Sequence, residues 1–160
     1  MKAMKIPGVA LLAVAIFMLA QARAQNASKV VFVSAKQLQS DIHKAPEATP
    51  GVSIINLSET PAYSALVARR TKTGLAEVHK SMIDVWYVIE GGGTLVTGGS
   101  LVETSETAPG ELRGKSVSGG EDREIAKGDI VTIPAGVPHW VRKIDGQQIV
   151  YLVVKVPSAK

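Results

Sequence analysis

Between Val52 and Val156, glycine and proline cut an apolar, β-branched chain into short runs. Val52–Leu57, Ser64–Arg70, Leu75–His79, Val85–Glu90, Thr94–Thr97, Ile130–Ile133, His139–Lys143 and Gln148–Val156 each read as a strand. β-Branched side chains suit a pleated, half-buried surface. Short strands at this density point to an antiparallel sandwich or barrel. The expected fold class is therefore all-β, a single-domain antiparallel β-barrel or jelly roll. Gly91-Gly92-Gly93 reads as a tight hairpin between two strands. Gly98–Gly128 is polar, rich in Gly and Ser, and holds Pro109. It reads as a long mobile excursion that could cover a pocket.

The start of the chain predicts export. Lys2 and Lys5 precede the apolar run Ile6–Ala20, and Ala22-Arg23-Ala24 follows as a small-x-small cleavage site. That is the make-up of a secretory signal peptide. Its apolar core of about 15 residues is short of the ~20 that span a bilayer. Residues 1–24 are thus expected to leave, with no stable membrane anchor and a periplasmic or secreted destination. Removing Lys2, Lys5 and Arg23 leaves 15 basic residues against 14 acidic ones, so the basic character of the full chain is largely a signal effect. Arg69, Arg70 and Lys72 form the one tight basic cluster, too small for a nucleic-acid groove. With no cysteine, disulfides, thiolate ligands and a cysteine nucleophile are excluded.

Residues 25–50 read as an N-terminal arm and 51–160 as the barrel. In the arm, Val30–Val33 is a candidate strand. Ser34 and Gln37 form a candidate capping box, opening a short helix through Leu38 and Ile42. Ala45–Gly51, with Pro46 and Pro50, is a connector. His43 belongs to the solvated end of that helix.

Two segments carry chemistry. Gly128–His139 reads as a strand, a rigid Pro134/Gly136 corner and a histidine delivered in a fixed direction. In the second, Glu77 and His79 lie two apart and so share one face of a strand. Asp84 opens the next strand, and a turn over Lys80–Met82 can face it back toward His79. Two imidazoles and two carboxylates then converge from three strands.

These segments resemble the two motifs of the cupin superfamily. Its first motif runs His-x-His, three or four residues, Glu, six residues, Gly; this chain has Glu77-x-His79, four residues, Asp84, six residues, Gly91. The Gly that opens that motif is replaced by Thr71, with Gly74 nearby. The second motif runs Gly, five residues, Pro-x-Gly, two residues, His, three residues, Asn; this chain matches at Gly128, Pro134, Gly136 and His139, and places Lys143 last. The resemblance covers residues 50–156. It implies a small cupin-like barrel whose inward Glu77, His79, Asp84 and His139 hold a divalent metal ion: Mn, Fe or Zn. Two carboxylates would cancel the ion's charge, which lowers its pull on an anionic substrate and on bound water. Asp84, one methylene shorter than Glu, needs a closer strand or a water to reach the ion. Glu77 is also a candidate general base.

Alternation from Asp84 puts Trp86 and Val88 in the pocket. Alternation from His139 adds Val141 and Lys143, and turns Tyr87 and Trp140 outward toward a second layer or a homodimer interface. Tyr63 and Arg69, on an earlier strand, complete the expected pocket. The resemblance implies a small-molecule metalloenzyme of dioxygenase, decarboxylase, isomerase or lyase type, acting on a small oxygen-bearing organic substrate. The alternatives are a non-catalytic binding or sensing module in the periplasm and, more remotely, a ligand-free dimeric scaffold.

Overall fold

A computed structural model describes residues 30–159, and Val33–Lys160 forms one unit. The expected signal peptide, 1–24, lies outside the described residues. Among the described residues, helix α1 (Ala35–Lys44) comes first. The strands are β1 (Glu47–Thr49), β2 (Val52–Glu59), β3 (Ser64–Arg70), β4 (Ala76–His79), β5 (Met82–Thr97), β6 (Ser100–Val102), β7 (Ser105–Ala108), β8 (Glu111–Gly114), β9 (Ser116–Ser118), β10 (Glu121–Ala126), β11 (Ile130–Ile133) and β12 (His139–Pro157). Among the described residues this is an all-β fold, a curled antiparallel sheet with one short helix. Among the described residues no helix is long and apolar enough to cross a membrane.

β5 and β12 pair antiparallel along their whole length, from Met82↔Pro157 to Thr97↔His139. Around that spine the sheet curls. The free edge of β5 takes β10 and β11. The far half of β12 takes β3, which continues through β2 to β1. The start of β12 takes β4, which continues through β8 to β7. β6 and β9 form a separate ribbon.

β12 shows how one apolar run serves two layers. Ile149, Tyr151 and Val153 enter the barrel core with Trp86, Val88 and Leu95. Val150 and Leu152 point the other way, beneath α1, with Val67 and Ile42. A strand covered on both faces reads as continuously apolar. α1 is held there by Leu38 and Ile42, one turn apart on one face. Burying a side chain such as Ile42 stabilises by roughly 1.5–3 kcal/mol. Ser34 caps the helix, its Oγ accepting from Gln37 N at 3.1 Å. The reciprocal half of the capping box is not made, because the Gln37 amide donates to Asp41 instead. Ala45, before Pro46, is extended and ends the helix.

Several sequence expectations are corrected. Val30–Val33 is not a strand; β-branched residues need a neighbouring edge to pair with. The Ala45–Gly51 connector contains β1. Gly98–Gly128 is not a bare excursion. It carries β6 to β10, whose outward polar residues disguise the alternation. His139–Lys143 and Gln148–Val156 are one strand with irregular register at Val141/Lys143 and Asp145/Ile149.

The Gly91–Gly93 triplet is not a hairpin but the middle of β5. A Cβ on Gly93 would stand 2.1 Å from the Lys143 carbonyl oxygen, and one on Gly92 2.6 Å from that of Ile125. The glycines let β12 and β10 press close from both sides where the barrel bends. Gly93→Ala is therefore expected to cost about 1–3 kcal/mol, read as a lowered urea midpoint. An unchanged midpoint would contradict so close an approach.

Candidate metal centre

Glu77 and His79 project from the same face of β4, and His139 opens β12 directly opposite Glu77. The corner that delivers His139 is clipped to β4 itself. Gly136 N donates to the His79 carbonyl at 2.8 Å, and Val137 N to that of Pro134 at 3.2 Å. Gly136 makes this turn with φ of 80°, open to glycine and strained for other residues.

The ligand atoms of Glu77, His79 and His139 lie within 4.8 Å of one another. The imidazole centroids are 5.2 Å apart. His79 Nδ1 donates to Glu111 Oε2 at 2.6 Å, and His139 Nδ1 to the Val137 carbonyl at 3.1 Å. Both partners act as acceptors, so in the neutral form of each ring the lone pair sits on Nε2. Both Nε2 atoms are buried and have no hydrogen-bond partner. Leaving such a group unsatisfied costs about 1–3 kcal/mol. Two lone pairs facing a carboxylate need an electron-poor centre between them. A divalent cation fits this donor set, and an outer carboxylate that fixes a ligating imidazole is a regular feature of such sites.

The local charges agree. Burial keeps the His139 imidazole below the ordinary value, in the neutral form that a ligand requires. Burial pushes His79 the same way, but Glu77 beside its ring, with Asp84 and Glu111, outweighs burial and Lys155 and raises it. A place that favours imidazolium favours a cation. The contact from His79 Nε2 to Glu77 Oε2, at 3.5 Å, is a charge contact rather than a hydrogen bond. Burial would raise Glu77, yet His79, Arg70 and Arg113 hold it well below the carboxylate range, so it stays ionised. Arg70 Nη2 donates to Glu77 Oε1 at 2.8 Å, and Arg70 Nε to Tyr151 Oη at 2.6 Å.

A cavity of about 570 Å³ opens beside the triad. Val52, Ile54, Leu66, Leu75 and Val153 form its apolar wall. Trp86 lines it, stacked on Tyr151 at 4.4 Å and edge-on to His139. Asp84 is buried next to the triad, but Lys155 Nζ holds both its oxygens, at 2.8 and 2.9 Å.

The other expected pocket residues lie elsewhere. Tyr63 is exposed in the turn before β3, its backbone bonded to Thr60. Arg69 faces outward and donates to Gln148; its neighbour Arg70 takes the inward place. Lys143 is thrown outward by the register shift after Val141 and pairs with Asp145. Trp140 is spent inside the chain, its indole donating to the Gly74 carbonyl at 3.1 Å.

Sequence reasoning missed Glu111, Arg113, Tyr151 and Lys155, and placed Arg70 in a basic cluster rather than in the pocket. Glu111 and Arg113 sit on β8, opposite His79 and Glu77; their alternation with Leu112 was the one available signal. These residues also correct the charge argument. Arg70, Arg113 and Lys155 balance Glu77, Asp84 and Glu111, so an added divalent ion leaves the pocket positive and attractive to anionic oxygen donors.

No family model matches the chain, and no curated protein does. Among solved structures it is similar to the TT1209 protein of Thermus thermophilus, at 20% identity over 80% of this chain and 98% of that one, TM-score 0.52. It is also similar to KdgF from Halomonas sp., at 16% identity over 71% of this chain and 87% of that one, TM-score 0.48. A cupin 2 conserved barrel domain protein from Rhodopseudomonas palustris gives 19% identity over 68% and 63%, TM-score 0.47. At 20% identity the likeness to the Thermus protein is one of fold alone.

Glu111→Gln keeps the shape of the acid beside His79 and removes its charge. Its affinity for zinc, measured by competition with a chelating dye, is expected to fall about 10–100-fold. An unchanged affinity would mean that Glu111 does not orient the ligand.

Proposed function

We propose that this chain is an exported metalloprotein that holds a divalent cation on Glu77, His79 and His139 and acts on a small, oxygen-bearing organic substrate in the adjoining pocket. The observation that carries this reading is the pair of buried, unpartnered Nε2 atoms facing a carboxylate. Two imidazoles and one carboxylate suit zinc, iron(II) or manganese. When bound, the ion would act as a Lewis acid toward a substrate oxygen.

The chain's own residues do the rest. Arg70 and Arg113 fix Glu77 and keep it ionised, which suits a ligand better than a general base, since a base works best with a pKa near the operating pH. Trp86 and the apolar wall exclude water and shape the substrate's carbon frame. Lys155 and Arg113 also line this cavity. Dioxygenase, decarboxylase, isomerase and lyase chemistry all fit such a site, and the fold does not choose among them. Export rests on Lys2, Lys5, Ile6–Ala20 and the Ala22-Arg23-Ala24 site, and implies a periplasmic or secreted protein.

One observation favours a second reading. The three pocket cations already balance the three pocket acids, so the cavity could receive an organic ligand without metal, as a binding or sensing module. Elemental analysis of protein purified without chelator or a metal-affinity column separates the two. The metalloprotein reading expects about one equivalent of transition metal per chain, lost in both His79→Ala and His139→Ala. Metal retained in both variants would refute the site. Metal-free wild type that is stabilised by small organic acids would favour the binding module.

A further inference from the structure

Asp84 lies against both free imidazole nitrogens and yet does not join the triad. Its Oδ2 lies 3.7 Å from His79 Nε2 and 4.0 Å from His139 Nε2. The group of ligand atoms within 4.8 Å of one another nevertheless consists of Glu77, His79 and His139. Asp84 and Lys155 are direct cross-strand partners in the β5–β12 ladder, so register alone brings them face to face. The ammonium bridges both carboxylate oxygens, and Trp86 Nε1, two residues along the same face, donates to Oδ2 at 3.3 Å. Asp84 is 2% exposed. A carboxylate that deep keeps its charge only with partners of this kind, and breaking such a pair leaves an uncompensated charge behind. A metal ion would have to compete with Lys155 for the same lone pairs.

We propose, building on the metal-binding reading above, that Lys155 holds Asp84 off the ion, so that Glu77, His79 and His139 bind it alone. Lys155 is thus a positioning residue that sets the ligand number. The pair is electrically neutral, so the ion faces the charge of one ligating carboxylate rather than two. It keeps more of its Lewis acidity and one more position for substrate oxygens. This also explains how an acid can stand at the motif position of a ligand without serving as one.

Cobalt(II) titration of the full chain tests the idea, with binding followed by competition and coordination by the visible d–d spectrum, whose shape reports geometry. The Asp84→Asn/Lys155→Met double variant removes the neutral pair and should leave both affinity and spectrum as in wild type. Lys155→Met alone frees Asp84 to ligate. It should bind cobalt at least about tenfold more tightly, with an altered spectrum, the effect of one added ligand. A double variant with tenfold weaker binding and a changed spectrum would overturn the proposal, because Asp84 would then be a ligand in the wild type. An unchanged Lys155→Met would overturn it too. Should Lys155→Met fail to fold, Lys155→Gln removes the charge with a polar side chain, and the double variant buries no lone charge. Wild type that takes up no cobalt, or keeps it in His79→Ala, sinks the metal reading and this inference with it. That failure shows before any change at Lys155.

Discussion

The ladder between β5 and β12 is the constraint from which the rest follows. Its register decides which residues face inward over the length of both strands, and a slip of one residue would turn each of them to the other side. It sets Asp84 against Lys155 and Trp86 against Val153, and brings His139 beside Thr97 while β4 places Glu77 on its other flank. The ladder must also bend to close the barrel. Gly91–Gly93 and the irregular stretch Asp145–Ile149 absorb that bend, because here backbone approaches backbone too closely for side chains.

The site depends on this frame for its charge pattern. Six charged side chains neutralise one another around the cavity, and each has a geometric reason to be there. Arg70 links the core, through Tyr151, to Glu77. Glu111 and Arg113 arrive on a strand that pairs with β4. What this network leaves unpaired is a pair of nitrogen lone pairs, not a charge. Those two buried, unpartnered nitrogens are what the proposed metal ion would satisfy.

Much of this was legible in the sequence because it depends on local rules. Period-two alternation places Asp84, Trp86 and Val88 inward and Tyr87 outward, as the structure has them. Ser64–Arg70 and Ile130–Ile133 have the expected bounds. The failures share one cause, which is pairing between distant segments. Arg69 and Arg70 cannot be told apart by pattern, since β3 is covered on both faces by barrel core and helix. Lys143 follows simple alternation into the pocket until a register shift, invisible in the sequence, turns it out. Lys155 and Glu111 become neighbours of Asp84 and His79 only through strand pairing. The glycine triplet misled because close packing and turning both call for a residue without a side chain.

The central claim is that two imidazoles aim free Nε2 lone pairs at one point. Long-range proton–nitrogen NMR of the histidine rings reads this directly, by reporting which nitrogen of each ring bears the proton. The account predicts that His79 and His139 are both protonated on Nδ1 in the neutral form. On addition of one equivalent of zinc, both Nε2 signals should shift together while those of the exposed His43 stay in place. A proton on either Nε2, or a zinc response confined to one of the two rings, would contradict it.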